Sequence, residues 1–214
     1  MLGDMIAWAI GHSHELERAA GRHISLSLTA LAAAILLALP LALLLVRRPH
    51  LAGPAIGAVN VLRTVPSLAL LVVTLPLLGT GFPPAAVALT LYGLPAILIN
   101  TYTALREVDP DIVEAGLGQG MTERQLMARI KLPLALPVIF AGIRTAAVQI
   151  VSAATLAAFI GGGGLGELIT AGMGTLDMPQ LILGGLAVAL LAVATEVAFA
   201  LAERTVRRAV GSAA

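Results

Sequence analysis

The sequence predicts an all-α membrane protein of about five transmembrane helices, with its N-terminus outside and its C-terminus in the cytoplasm. Three observations carry this: a very apolar composition, apolar runs of helical length, and a one-sided placement of lysine and arginine. Hydrophobic residues make up 58% of the chain and charged residues 12%, whereas soluble domains carry about a quarter of charged residues. A mean hydropathy of +0.96 agrees with a lipid environment. The bilayer core, roughly 30 Å thick, takes about 20 apolar helical residues to cross, so a chain of 214 residues accommodates about five spans and their connections. Open strands are excluded because unpaired backbone amides are too costly in hydrocarbon, and the runs exceed the roughly ten-residue alternating strands of outer-membrane barrels. A net charge of +1 offers no basic patch for nucleic acid, and the absence of cysteine excludes disulfides and thiolate metal sites.

Span one is read from Ile24 to Val46, uncharged and closed by Arg47, Arg48, Pro49 and His50. Span two runs from about Ala55 to Leu78, with Asn60, Arg63 and Pro66 giving it a polar entrance. Spans three, four and five run from about Ala85 to Leu105, Leu134 to Ile160, and Gln180 to Ala202. Residues 1–23 mix apolar and charged side chains, which suits an interfacial segment preceding a membrane domain over 24–214. Asp4 is the only early charge, an arrangement unlike a cleavable signal. Lysine and arginine are retained in cytoplasmic loops. An external N-terminus places Arg47, Arg48, Arg106, Arg124, Arg129, Lys131, Arg204, Arg207 and Arg208 in the cytoplasm, with Arg63 and Arg144 near that side. Only Arg18 and Arg22 are left outside.

Two connections are too long for turns: residues 106–133, charged and mixed, and Gly161 to Pro179, rich in glycine. In the first, Asp109-Pro110-Asp111 reads as a helix start with acidic residues at the positive end of the dipole. Gly120 can turn the chain at positive φ, and Thr122 can cap a second helix running to about Ile130, before Leu132-Pro133 breaks the pattern. Two short helices would then lie across the cytoplasmic mouth.

Glu114-Ala115-Gly116, three residues, Gly120, nine residues, then Ile130-Lys131-Leu132-Pro133 form a pattern that resembles the cytoplasmic signature of ABC-importer permeases. The departure is Gly116, where alanine is common; it stays small but loosens the helix. The likeness extends through Leu62-Arg63-Thr64-Val65-Pro66-Ser67-Leu68, Asn100-Thr101-Tyr102-Thr103, Ala141-Gly142-Ile143-Arg144 and Gly162-Gly163-Gly164-Leu165-Gly166, and is similar to the osmoprotectant branch of that family. The resemblance implies a type I importer permease fold in a bacterial plasma (inner) membrane. It further implies import of glycine betaine, choline or carnitine, with residues 106–133 as the coupling loop. Its implied partners are ABC ATPase subunits holding ATP and Mg, a second permease subunit, identical or paralogous, and an extracytoplasmic substrate-binding protein. The methionine-importer branch is similar in size and shares the glycine-rich segment, and stands as the alternative for substrate.

Thr145, Gln149, Ser152 and Thr155 fall on one face of span four. They are candidates for the wall of a translocation pathway, against the alternative of helix-to-helix hydrogen bonding. Asn60, Pro66, Ser67 and Asn100 join them as candidates. Gly162, Gly163, Gly164 and Gly166 are candidates for gating or close helix approach. Arg63 and Arg144 are expected to reach headgroups from the span ends, and Glu196 is expected to pair with one of them. His12 and His14 lie on different helical faces with no third ligand near, so no metal site is expected. The sequence contains no nucleophile, base and oxyanion-site set, so no enzymatic activity of its own is expected. A rival class, the ion-driven secondary transporter, predicts an internal repeat and mid-membrane charges; no clear repeat is present.

Overall fold

A computed structural model describes residues 2–211; Met1, residues 212–214 and the side chains of Leu2 and of residues 207–211, those of Arg207 and Arg208 among them, lie outside the described set. Every described element is helical: α1 (Leu2–Gly11), α2 (Ser13–Arg47), α3 (Pro49–Thr64), α4 (Ser67–Leu78), α5 (Phe82–Arg106), α6 (Pro110–Gly118), α7 (Glu123–Leu126), α8 (Leu132–Ala154), α9 (Gly166–Thr175) and α10 (Met178–Gly211). Four helical stretches are long and apolar enough to cross a bilayer, or five if the bent pair α3–α4 counts as one.

Helices α2, α5 and α8 form the centre. On α2, Ala30, Ala34, Ala38 and Ala42 recur every fourth residue, and each is fully buried. Such a stripe lets backbones approach closely, which matters in lipid because tails compete equally for apolar side chains. The α5–α8 contact uses the same device with glycine. A Cβ on Gly142 would stand 2.8 Å from Asn100 Cβ and 3.0 Å from the Ala96 carbonyl oxygen.

Three expectations are corrected. Span two is not a single rod: α3 and α4 meet at 102°. Pro66 disfavours helical geometry at Val65, which is extended at φ −74° and ψ 125°. Second, Leu132-Pro133 does not end the loop's second helix. Residues Met127–Lys131 form a π turn, with the Leu132 N–H donating to the Met127 carbonyl, and the helix continues from Glu123 through Ile160. The wider turn relieves the clash that the Pro133 ring makes with a carbonyl four residues back. Third, Arg144 does not reach toward headgroups. Its Nη1 donates to Glu203 Oε2 at 2.8 Å, and its Nε and Nη2 donate to Glu196 Oε1, tying α8 to α10. In addition, α2 runs unbroken through the boundary drawn at residue 24, and the glycine-rich connection contains α9.

The Gly142 geometry makes a prediction. Gly142→Ala overpacks the α5–α8 contact against a backbone oxygen and should cost about 1–3 kcal/mol, read as a lowered thermal unfolding midpoint of the purified protein in detergent.

Candidate coupling loop and translocation groove

The loop after α5 is built by local signals. The Asp109 carboxylate accepts from the Asp111 N–H at 2.9 Å and opens α6 behind Pro110. Gly120, at φ +80°, reverses the chain, a conformation cheap only for glycine. Thr122 and Gln125 form a capping box: the Thr122 N–H donates to Gln125 Oε1 at 2.8 Å, and the Gln125 N–H donates to Thr122 Oγ1 at 3.3 Å. The signature residues then fall into place. Gly116 is buried, and a Cβ there would stand 2.8 Å from Leu126 Cδ1 and 2.9 Å from Ile130 Cδ1, so α6 rests closely on the start of the long helix. Glu114 and Ala115 are exposed, and Leu132 and Pro133 are half-buried. On α6, Ile112 and Leu117 remain 43% and 48% exposed.

The groove lies between α5, α8 and the α3–α4 bend. A cavity of about 210 Å³ is lined by Arg63, Tyr92, Asn100, Thr145 and Gln149 among others. A second, of about 510 Å³, is lined by Ser67, Tyr92, Gln149, Ser152 and Thr155 among others. Thus six of the sequence candidates, Ser67, Asn100, Thr145, Gln149, Ser152 and Thr155, line two cavities that share Tyr92 and Gln149. Asn60 and Pro66 are exposed but line neither. Asn100 Nδ2 donates to the Ala96 carbonyl at 2.7 Å and Thr145 Oγ1 to the Ala141 carbonyl at 2.9 Å, so their donors are held within their own helices. Thr155 Oγ1 is buried without a hydrogen-bond partner.

Two residues here, Tyr92 and Glu203, are not among the sequence candidates. Tyr92, Ala96 and Asn100 recur every fourth residue, so extending the face of Asn100 back along α5 finds Tyr92. Glu203 follows Glu196 by seven residues, about two turns along the same face of α10.

The glycine-rich turn is closely packed. Gly162, Gly163, Gly164 and Gly166 are all buried, with Gly163 and Gly164 at φ +84° and +96°. A Cβ on Gly163 would stand 2.8 Å from Arg22 Cγ, and one on Gly166 would stand 2.0 Å from the Thr155 carbonyl oxygen. His23, fully buried, bridges three elements: its Nε2 donates to the Val151 carbonyl at 2.9 Å, and its Nδ1 accepts from the Leu165 N–H at 3.2 Å. Arg22 Nε donates to the Gly162 carbonyl at 3.3 Å.

An apolar helical bundle with an open groove lined in part by polar side chains and a capped two-helix loop at one end is the form of a multi-pass membrane transport subunit. The chain belongs to the family of binding-protein-dependent transport system inner membrane components, whose model matches residues 30–208. It is 47% identical over 183 residues to the choline transport system permease protein OpuBB of Bacillus subtilis (strain 168), covering 85% of this chain and 84% of that one. It is 42% identical over 206 residues to the glycine betaine/carnitine/choline transport system permease protein OpuCB of the same organism, covering 96% and 94%. With the osmoprotectant import permease protein OsmW of Salmonella typhimurium it shares 41% over 195 residues, covering 89% and 91%. Among solved structures, an inward-facing MetNI methionine ABC transporter matches with a TM-score of 0.82 at 24% identity, covering 92% of this chain and 98% of that one. That likeness establishes the fold, a type I ABC importer permease.

The capping box makes a prediction. Thr122→Ala removes it and should cost about 1 kcal/mol of local stability. Amide hydrogen exchange should then speed up across residues 123–131 while the α5–α8 core keeps its protection.

Proposed function

We propose that this chain is the permease subunit of an ATP-driven importer for quaternary ammonium osmoprotectants such as glycine betaine, choline or carnitine. The observation that carries this is the loop. Its helix α6 is fixed by caps and by the close contact at Gly116, yet it presents Ile112 and Leu117 to the surface. Exposed apolar side chains on a short helix held by its caps and by packing suit contact with a protein partner. Glu114, Ala115, Gly116, Gly120, Ile130, Leu132 and Pro133 shape this element, which docks on an ATPase subunit. ATP and Mg bind on that partner, and this chain binds no cofactor of its own.

In this scheme two copies, or this chain and a paralogue, enclose the pathway, and a substrate-binding protein delivers solute from outside. The loop faces the cytoplasm, since lysine and arginine concentrate on its side of the chain. ATP-driven closure of the ATPase pair moves both loops and turns the helices from inward to outward opening. Solute then enters the groove past Thr155, Ser152, Gln149 and Thr145, and hydrolysis resets the assembly. The glycines at 162–166 hold the outer end of the groove by packing against α2. The names of the osmoprotectant and choline relatives support this solute class over the methionine-type reading.

The test is co-reconstitution with the ATPase and binding-protein partners in proteoliposomes. Wild type should take up radiolabelled betaine or choline only with ATP and both partners. Gly120→Pro, which cannot adopt φ +80°, should lose at least about tenfold of uptake per ATP hydrolysed or fail to bind the ATPase. Uptake driven by an ion gradient without the ATPase would overturn the reading. Stimulated hydrolysis without uptake of these solutes would overturn the solute class.

A further inference from the structure

The two groove cavities meet at Tyr92 and Gln149, the two residues that line both. Arg63 is the charged residue among their lining side chains, and no carboxylate lines either cavity among the described residues. Tyr92 is the aromatic residue among the same lining side chains, in a chain with only 3% aromatic residues. Tyr92 is half-buried, packed against the central core and lining both cavities.

A quaternary ammonium group has no N–H to donate, so the amide and hydroxyl groups of Asn100, Gln149 and Ser152 cannot hold it by hydrogen bonds from its cationic end. The face of an aromatic ring attracts such a group through its quadrupole. Arg63 repels it from the loop end of the smaller cavity. We infer that Tyr92 is a solute-contact residue, its ring face giving the quaternary ammonium group a weak station where the two cavities join. The inference rests on the reading above that the chain moves quaternary ammonium solutes. One ring suits a conduit, which has to bind well enough to admit solute and weakly enough to release it. A cage of several rings would retain the cation.

The test exploits ring electronics at fixed shape. In the reconstituted complex, position 92 carries phenylalanine (Tyr92→Phe) as reference, then mono-, di- and trifluorinated phenylalanine introduced by suppression. Fluorine drains electron density from the ring face and barely alters packing. Choline and glycine betaine uptake per ATP hydrolysed should fall stepwise along the series, to between about a third and a tenth at three fluorines. The thermal midpoint should stay level throughout. A flat uptake series in a complex whose wild type is active would overturn the role of Tyr92 and leave the proposed function standing. A wild-type complex that takes up neither solute under any energisation would remove the proposed function, and the role of Tyr92 with it.

Discussion

Close approach of helix backbones is the constraint on which the rest of this molecule depends. Lipid tails are as apolar as leucine, so burying large side chains gains little between helices, and packing contacts have to hold the bundle. The chain meets this with small residues at successive interfaces. Ala30, Ala34, Ala38 and Ala42 join α2 to the centre, and Gly142 joins α8 to α5. Gly172 and Gly184 do the same between α9 and α10, where an added Cβ would stand within 3 Å of Leu181 and Ile169. Large apolar residues such as Leu36, Leu190 and Val193 are left on the outside, where lipid accepts them.

Polar groups inside this frame are placed by the same economy of space. His23 spends both ring nitrogens on backbone groups of α8 and the glycine-rich turn, so α2, the outer end of α8 and the turn are joined by one buried side chain. Arg144 answers Glu196 and Glu203 from the neighbouring helix. Among the described residues the buried hydroxyls of Ser27, Thr101 and Thr155 have no hydrogen-bond partner, and of these Thr155 lines the groove beside Gln149 and Ser152. Unsatisfied polar groups are costly where water is excluded, and a groove that takes in water or solute supplies the partners they lack.

The sequence made local structure legible wherever the signal was local. Asp109, Gly120 and Thr122 announced the loop helices, because caps and positive-φ turns are decided within a few residues. The spacing of Thr145, Gln149, Ser152 and Thr155 located one wall of the groove for the same reason. What escaped required knowing which helices are neighbours. Glu203 is legible as a membrane-end carboxylate, but only the α8–α10 contact makes it a partner of Arg144. Tyr92 belongs to the groove only because α5 lies against α8. The bend at Pro66 was masked by apolar flanks that read as one span. The π turn before Pro133 was masked by the general rule that proline ends a helix, a rule that holds only when the chain has no wider turn to spend.

That last correction bears on mechanism. Two loop helices hinged before the membrane would absorb a push at the hinge. Instead the chain from Glu123 runs as continuous helix through the π turn into α8 and on to Ile160. Gln125, in the capping box, and Gln149, in the groove, therefore stand on one helical rod, about 36 Å apart at 1.5 Å per residue. Helix α6 is clamped to the base of that rod through Gly116, Leu126 and Ile130. Continuous helix, including the π turn and Pro137, therefore links the contact with α6 to the face carrying Thr145, Gln149 and Ser152. The α3–α4 bend forms the opposing wall, with α4 packing mainly on α5 and meeting the rod at its far end, Thr155–Ile160, so the two walls are joined at that end and separate toward the loop.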